Sequence, residues 1–392
     1  MKRLFVMVAA SAALLGATAT TATATPRPDV QKKLQADADA ILKQGAPGVI
    51  AELSTPHGST TIRAGFGNTA TKEPVPWNAK FRIGSFTKTF VATTVLQLVG
   101  EGKVALDAPI ETYLPKTVNN GKNITVRQLL QHTSGLPDYL AAEEFAFLGS
   151  KEGFQANRFK DVTAEQLVAL SNKQKPLFAP GSSWTYSNTN YVLAGLLIEK
   201  VTGEDWRDQV EKRIVQPLHL RDTSTPGTDH SVPQPHAIGY ERFPGSGATP
   251  EDPKYGEPID ATELSSTWGD AAGEIISTTK DGNRFLQALL SGKLLKPAQL
   301  AEMKKTVAAK PFEAIWPGAR YGLGLMSAPS SCGLTWSHGG DIHGFKTRNG
   351  ANEKGTRSVV VSMNTDSLKP LPGAPKLTQD VALKLIEDAL CA

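Results

Sequence analysis

The sequence predicts an α+β protein in which strands from both ends of the chain form one sheet, with a mostly helical lobe inserted between them. Strand patterns and a strong helix come first, residues 101–265 are mostly helix or loop, and strands and a helix return afterwards. The sheet lobe is therefore expected at about residues 25–100 and 266–392. The cleft between the two lobes is the default position of a functional site.

The individual elements follow this order. Residues 28–45 have the mixed charge of a surface helix, and residues 48–69 alternate on both sides of a Pro-His-Gly-Ser turn, which predicts a β-hairpin. The run from residue 86 to Gly100 is a strong helix pattern. Further helices are expected within residues 124–140, 161–173, 191–203, 280–292, 297–306 and 377–390, and further strands within residues 321–327, 333–340 and 357–364.

The first 24 residues have the pattern of a secretory signal peptide. Lys2 and Arg3 precede an apolar run at residues 4–15, which is too short to span a bilayer. The Ala-Thr-Ala triplet ending at residue 24 fits a cleavage site, and residues 17–19 are an alternative. No cysteine lies nearby and no later run is long and apolar enough for a transmembrane helix, so we expect a secreted protein without a stable membrane anchor.

Composition argues against nucleic acid as a partner. The chain is 40% hydrophobic and 20% charged, which is typical of a globular protein. Its formal net charge of +4 would fall by two with removal of the signal peptide, and no block of like charges is present.

The chain contains two cysteines, Cys332 and Cys391. In an oxidising compartment an even number of cysteines favours a disulfide, which would tie the C-terminal tail to the region before residue 338. The alternative is two buried free thiols.

The Ser-x-x-Lys pattern occurs twice, at Ser85–Lys88 and at Ser277–Lys280. Lys88 is the only charged residue between Ser85 and Gly100, and a helix that is apolar on all sides must be buried. Burial lowers the pKa of a lysine toward the range in which the amine accepts a proton, and one helical turn brings it to the serine hydroxyl. Ser277 precedes an amphipathic helix and is interpreted as its N-cap. Ser85 is therefore the candidate nucleophile.

Several other catalytic signatures are absent from the sequence. It contains no G-x-S-x-G, H-E-x-x-H or C-x-x-C motif. His230 with His236, or His338 with His343, do not have the spacing of a helical or hairpin ligand pair. We therefore expect neither a metal nor a cofactor.

Two further motifs follow Ser85 in chain order. Tyr186-Ser187-Asn188 lies in a loop rich in turn residues, and His338-Gly339-Gly340 ends a strand. In this order the three motifs resemble those of the penicillin-recognising serine hydrolases. From about residue 30 onward the chain is similar to the class C β-lactamase-like family. The blocks WTYSNTNYVLAGLLIEKVTG and YGLGL and both cysteine positions resemble most the secreted D-alanyl-D-alanine carboxypeptidases of that family.

This resemblance implies the β-lactamase/transpeptidase-like fold, in which an antiparallel sheet is flanked by helices, a mostly helical lobe is inserted, and the active site lies between the lobes. Residues 25–392 would form one serine hydrolase domain, with the helical lobe at about residues 101–265. The implied substrate is a peptidoglycan stem peptide ending in D-Ala-D-Ala, and β-lactams would acylate the same serine. A monomer is expected.

The resemblance also implies roles for the motif residues. Ser85 would attack the carbonyl carbon, while Lys88 and a phenolate form of Tyr186 would share the proton transfer. Asn188 would donate its amide to the substrate. His338 would add polarity and, with an imidazole that titrates near neutrality, a pH step in activity. The backbone N–H groups of Ser85 and Asp341 would form the oxyanion hole.

Substrate contacts are expected along the same strand and loop. A peptide would lie beside Gly339 and Gly340 as an added strand, because glycines leave room for it. Close carboxypeptidase relatives carry basic residues after YGLG to hold a substrate carboxylate, whereas this chain has Leu325-Met326-Ser327. Ser187 is a further candidate binding residue. Phe145 and Trp268 are candidate apolar walls of the pocket, and the alternative is that they are ordinary core residues. Lys346 or Arg348 could instead bind the substrate carboxylate.

Three other functions remain open from the sequence. A class C-like β-lactamase would share the acylation and differ in rapid hydrolysis of the acyl-enzyme. A β-lactamase-like esterase or D-amino-acid amidase would share the serine chemistry on another substrate. A catalytically inactive binding module is disfavoured by the intact Ser85, Lys88, Tyr186 and Asn188.

Overall fold

The computed structural model describes residues 28–249 and 252–392, so the signal peptide predicted at residues 1–24 lies outside the described residues. The strands are β1 (Gly48–Thr55), β2 (Gly58–Asn68), β3 (Glu73–Pro74), β4 (Phe81–Arg82), β5 (Tyr240–Glu241), β6 (Ile259–Asp260), β7 (Ile276–Ser277), β8 (Val307–Ala308), β9 (Arg320–Tyr321), β10 (Met326–Ser330), β11 (Gly333–Ser337), β12 (Gly340–Ile342), β13 (Phe345–Asn352) and β14 (Ser358–Met363). The α-helices are α1 (Pro28–Lys43), α2 (Thr87–Gly100), α3 (Val126–Gln131), α4 (Lys151–Asn157), α5 (Ala164–Asn172), α6 (Thr189–Thr202), α7 (Trp206–Val210), α8 (Thr279–Leu290), α9 (Pro297–Met303), α10 (Lys310–Glu313) and α11 (Leu383–Cys391).

One sheet of ten strands joins the two ends of the chain. Its order is β3-β2-β1-β14-β13-β11-β10-β9-β8, and β12 also pairs with β13. Strands β1 and β14 are antiparallel neighbours, with Val49 opposite Met363 and Leu53 opposite Val359. The predicted α+β class, with an antiparallel sheet flanked by helices, is confirmed.

Both faces of the central strands are covered, which explains their continuous apolar sequences. Successive side chains of a strand point to opposite faces. Val359 and Val361 belong to the core formed with α1 and α11, whereas Val360 belongs to the core that contains α2 and α8. The sheet is thus fixed between two helical layers.

Helix α2 is buried on all sides, as its sequence predicts. It contacts α6, α7 and α9, and the ring of Phe90 stacks on Phe285 of α8 with 3.6 Å between centroids. The hydroxyls of Thr93 and Thr94 donate to backbone carbonyls one turn earlier, at 2.7 and 3.1 Å, so their burial is compensated. The helix therefore carries Lys88 on a fixed support.

The interpretation of Ser277 as a helix N-cap is wrong by one residue. Thr278 caps α8 by accepting a hydrogen bond from the backbone N–H of Asp281 at 3.2 Å. Ser277 instead lies in β7 opposite Phe81, and its buried hydroxyl bonds to that of Thr223 at 2.8 Å. Its role is structural, as expected, but it belongs to a strand.

A disulfide joins Cys332 to Cys391, with 5.5 Å between their Cα atoms. It ties the end of α11 to the turn between β10 and β11. Among the described residues, no helix combines the length and the apolar character that crossing a bilayer requires.

Reduction of this disulfide should destabilise the protein. The bond closes a loop with a sequence separation of 59 residues, and in the chain-entropy model a loop of this size contributes about 4 kcal/mol. Urea unfolding with and without reductant should show a lower midpoint in the reduced protein.

The matched control is the double variant Cys332→Ser/Cys391→Ser, whose midpoint should not respond to reductant. Two reactive thiols in the untreated native protein would contradict the bond.

Candidate active site

The three sequence motifs meet in one cleft. Ser85 lies in a 3-10 turn, Gly84–Phe86, that leads into α2, and Tyr186 precedes α6. Together with His338, Gly339 and Gly340 these residues line a cavity of about 280 Å³. A second cavity of about 180 Å³ is also lined by Ser85.

Lys88 is fully buried and its ammonium nitrogen has three oxygen neighbours. They are Ser85 Oγ at 3.0 Å, Asn188 Oδ1 at 2.7 Å and the carbonyl of Ala272 at 2.8 Å. Burial lowers the pKa of Lys88 to about 7, and the nearby Asp138 opposes this change. A neutral amine can donate to the amide and carbonyl oxygens and still present its lone pair to the Ser85 hydroxyl. This geometry suits a proton acceptor.

Asp138 is a site residue that the sequence did not reveal. Its carboxylate accepts hydrogen bonds from the backbone N–H of Asn188 at 3.0 Å and from the side-chain amide at 2.8 Å. The amide nitrogen therefore points to Asp138, and the amide oxygen points to Lys88. The amide nitrogen carries two N–H groups and only one of them bonds to Asp138, so the second remains available to donate to a substrate.

Tyr186 lies against Lys88, with 4.7 Å from the amine nitrogen to the ring centroid. Burial raises the pKa of its hydroxyl well above the ordinary value, and interaction with the Ser85 hydroxyl opposes this only in part. The expectation of a phenolate is therefore wrong for the resting site. A protonated phenol beside Ser85 is a proton donor.

Two glycines allow the serine turn and strand β12 to touch. A Cβ on Gly340 would lie 1.9 Å from the carbonyl oxygen of Ile83 and 2.7 Å from the backbone nitrogen of Ser85. A Cβ on Gly84, whose φ is +52°, would lie 2.9 Å from the backbone nitrogen of Asp341. The two N–H groups expected to form the oxyanion hole are thus brought to the same small region by contacts that only glycine permits.

His338 is buried beside Tyr186, with 6.3 Å between ring centroids. Burial and, secondarily, the charge of Lys88 lower the pKa of this imidazole to about 3. The expectation that His338 titrates near neutrality is therefore wrong, because the buried site does not solvate the charged imidazolium form. His338 is a neutral hydrogen-bonding group at physiological pH.

The walls of the two cavities differ in character. The larger cavity has an apolar wall that the sequence did not reveal, formed by Phe312, Ile315, Trp316 and Met326. Trp268 lines the smaller cavity, as expected, with its ring nitrogen donating to the carbonyl of Lys160 at 2.7 Å.

Two other predicted binding residues lie behind the cavities. Phe145 is buried behind the smaller cavity against Phe147 and Tyr139. Ser187 is also buried, and its backbone N–H donates to the ring of His132 at 3.2 Å. Both pack beneath the site, as core residues do.

The two basic residues proposed to hold a carboxylate are already paired. Lys346 contacts Asp341 at 3.1 Å and Asp366 at 2.8 Å, and Arg348 contacts Asp341 and Asp380, each at 2.6 Å. The five charges alternate in sign from Asp380 to Asp366, and three of them are negative. The cations hold the pKa of Asp341 well below its usual range. These pairs count against Lys346 or Arg348 as a carboxylate-binding group.

Within the part of the chain that the structure describes, no group of three or more His, Cys, Asp and Glu side chains is arranged to hold a metal ion. The histidine pairs considered from the sequence have other partners. His230 contacts Asp161 at 2.9 Å, His236 contacts Gln234 at 3.0 Å, and His343 donates to the carbonyl of Leu148 at 2.9 Å.

Two solved structures of amide hydrolases are similar to this chain over nearly its full length. A D-stereospecific amidohydrolase from a Streptomyces species is 37% identical with a TM-score of 0.80, and the match covers 92% of this chain and 98% of that one. The D-amino acid amidase of Ochrobactrum anthropi SV3, in complex with L-phenylalanine amide, is 28% identical with a TM-score of 0.76 over the same shares.

The chain matches only part of the length of its curated relatives. A putative penicillin-binding protein, PbpX, from Bacillus subtilis is 29% identical over 312 residues, which is 79% of this chain and 68% of that protein. For other curated relatives the match spans 60% or less of their length.

The family itself is established by a match to residues 27–383, which is most of the chain. The description of that family is Beta-lactamase. The chain belongs to the β-lactamase family of serine hydrolases, which react through an acyl-enzyme.

Proposed function

We propose that the protein hydrolyses amides of D-amino acids and short D-aminoacyl peptides through an acyl-enzyme at Ser85. The observation that carries this substrate class is the pairing of both basic residues near the nucleophile with aspartates. A carboxypeptidase needs a cation for the terminal carboxylate of its substrate, whereas an amide needs none. The 37% identity to a D-stereospecific amidohydrolase over nearly the full length of both chains supports the same conclusion.

In the acylation step Ser85 Oγ forms a bond to the substrate carbonyl carbon while its proton passes to Lys88. The oxyanion accepts hydrogen bonds from the backbone N–H groups of Ser85 and Asp341. When the C–N bond breaks, Tyr186 gives its proton to the leaving nitrogen and regains one from Lys88. The raised pKa of Tyr186 and the lowered pKa of Lys88 suit these opposite roles.

Deacylation follows the same steps in reverse order, with water as the nucleophile. A water molecule adds to the ester carbonyl and its proton passes to Lys88. The bond to Ser85 Oγ then breaks, and Ser85 recovers a proton from the same pair, Lys88 and Tyr186. The product is a free D-amino acid or D-peptide, and the site returns to its starting protonation.

The two cavities divide the substrate between them. The apolar wall of Phe312, Ile315, Trp316 and Met326 suits an aromatic or aliphatic side chain. The smaller cavity is bordered by Asp341 and Asp366, and the excess of negative charge there suits the α-ammonium group of an unblocked amino acid. A free D-amino acid amide with a large side chain would place that side chain against the apolar wall and its ammonium group in the smaller cavity.

A D-alanyl-D-alanine carboxypeptidase that is acylated by penicillins is the second candidate. It is favoured by the penicillin-binding relatives. Secretion is proposed with either function, because the disulfide between Cys332 and Cys391 favours an oxidising compartment.

Activity should rise with pH as Lys88 loses its proton. The ammonium form cannot accept the Ser85 proton, so below the pKa of about 7 the rate should fall about tenfold per pH unit. The measurement is kcat/KM for p-nitrophenyl acetate, a substrate that does not itself titrate, between pH 5 and 9.

Lys88→Met, which retains the shape of the stem, should remain folded and lack this ionisation. A flat profile in the native enzyme would remove Lys88 as the base.

Gly340→Ala should lower kcat by about a hundredfold or more, as does loss of an oxyanion-hole donor. Its Cβ would clash with backbone atoms of Ile83 and Ser85, which cannot move independently of the nucleophile. Gly256→Ala is the control, because a Cβ there would meet no atom within 4 Å and Gly256 lies outside both cavities. Equal rates in the two variants, with equal thermal midpoints, would contradict the role of this contact.

The substrate class is tested by comparing kcat/KM for D-phenylalanine amide, L-phenylalanine amide and N-acetyl-D-Ala-D-Ala. The D-amide should be the best substrate by about tenfold or more, a difference that pocket contacts commonly provide. Stable acylation by penicillin with no hydrolysis of the D-amide would favour the carboxypeptidase instead.

Asp366→Asn removes one of the two carboxylates that pair with the partly buried Lys346 and should shift the preference a few-fold toward the carboxylate-ended peptide. Asp107→Asn, an exposed aspartate paired with Arg127, is the control and should leave the ratio unchanged. Equal ratios in both variants would exclude the ion pairs as the cause of selectivity.

A further inference from the structure

A buried chain of hydrogen bonds runs behind the candidate active site and joins two of its motifs. His338 Nδ1 lies 2.7 Å from the carbonyl oxygen of Gly339, and its Nε2 lies 2.8 Å from the hydroxyl of Tyr321. The same hydroxyl lies 3.2 Å from His132 Nε2. His132 Nδ1 in turn lies 3.2 Å from the backbone N–H of Ser187.

Only one assignment of protons satisfies every member of this chain. The Ser187 N–H must donate to His132 Nδ1, because a backbone nitrogen accepts nothing. His132 therefore carries its proton on Nε2 and donates to the Tyr321 oxygen. The Gly339 carbonyl can only accept, so His338 carries its proton on Nδ1 and its Nε2 accepts from Tyr321. All donors point from the Ser187 end toward Gly339.

His132 also fixes the position of Tyr186, which lies beside Ser85. Its backbone carbonyl accepts the N–H of Thr185 at 3.1 Å, so it is bonded to the residues on both sides of Tyr186. Its ring lies 4.3 Å from the Tyr186 ring between centroids. The side-chain amide of Asn190 gives its Nδ1 a second donor at 3.0 Å.

His338 is fixed from its other side as well. The side chain of Asn349 accepts its backbone N–H at 2.9 Å and donates to its carbonyl at 2.7 Å, where the chain passes from β11 to β12. The bond from the His338 ring to Gly339 then sets the peptide that precedes Gly340. The orientation of the His338 ring therefore affects the position of the backbone segment that carries the Asp341 N–H.

We propose that His132 and Tyr321 are positioning residues that hold His338 as the neutral Nδ1–H tautomer and so fix Gly339–Asp341 against Ser85. This inference rests on the proposed acyl-enzyme at Ser85, but not on which acyl group it carries. In the native enzyme, hydrolysis is therefore independent of any His338 ionisation near neutrality. The ionisable groups that face His338 are Lys88, Arg348, Asp341, Tyr186, Tyr321 and His132.

The first test uses Tyr321→Phe, which removes one oxygen from the middle of the chain. Hydrolysis of p-nitrophenyl acetate should fall about tenfold or more in kcat, which is the scale of a misplaced acid–base or hydrogen-bonding group. KM should change little, because the apolar wall is intact. Tyr240→Phe is the matched control: it removes another buried tyrosine hydroxyl, which bonds to Thr69, and should keep the native rate.

The signature that a purely structural role would not produce is the tautomer. In ¹⁵N-labelled native protein at pH 7, His338 should show its proton on Nδ1 and His132 on Nε2, with His338→Gln used for assignment. In Tyr321→Phe the His338 spectrum should change, and the pH–rate profile should gain an ionisation below pH 7. An unchanged tautomer and profile together with the rate loss would overturn the proposal.

A double-mutant cycle tests whether the two residues act through one chain. His132→Asn keeps a residue that tolerates the left-handed φ of +62° at this position, but its side chain is too short to reach Tyr321. If both act through His338, the double variant should be within about twofold of His132→Asn alone, since members of one network are not additive. Additive losses, or native rates in both single variants, would refute it.

The readouts separate this proposal from the proposed substrate. Ester hydrolysis and the tautomer report on Ser85 and His338 whichever amide or peptide is the natural substrate. Failure to hydrolyse D-amino acid amides would leave the chain of hydrogen bonds supported, whereas a normal Tyr321→Phe enzyme would remove it and leave the substrate proposal standing.

Discussion

The amine of Lys88 is fully buried in a helix that has no other charge, and most of the site can be understood from how that amine is satisfied. Its neighbours come from three separate parts of the chain: Ser85 one turn earlier, Asn188 before α6, and the carbonyl of Ala272. A buried amine without such partners would be costly. The lysine therefore requires these segments to meet, and their meeting forms the catalytic cleft.

Groups further from the serine fix this arrangement. Asp138 orients the Asn188 amide so that its oxygen faces Lys88, and burial keeps the Tyr186 phenol protonated. The result is a base with a lowered pKa next to an acid with a raised one. Two titratable groups whose pKa values are shifted in opposite directions can take opposite roles in one reaction.

Charge also limits what the cleft accepts. The alternating series from Asp380 through Arg348, Asp341 and Lys346 to Asp366 leaves both cations paired and one negative charge in excess. Such an arrangement stabilises the strand after the glycine pair without offering a site for an anionic group. In the proposed function the family's acylation chemistry is retained, and we propose that the surrounding charges select an amide rather than a carboxylate-ended peptide as the acyl donor.

The sequence by itself determined the α+β class, the hairpin, the buried helix α2 and the choice of Ser85 over Ser277. These follow from local periodicity and from the rule that an uncharged helix must be buried, which needs no knowledge of the partners. It also favoured a bond between Cys332 and Cys391, the two cysteines of the chain, over two buried free thiols. Met326, where a basic residue was expected, already put the carboxypeptidase assignment in question.

Only the tertiary structure decided the protonation states and the substrate-facing charges. The pKa values of Tyr186 and His338 depend on burial by distant segments, so their predicted phenolate and neutral-pH titration were wrong. Asp138, His132 and Tyr321 are unremarkable in sequence and become site residues because the fold brings them behind the motifs. Pairing of Lys346 with Asp366 is likewise a long-range contact, which no local pattern encodes.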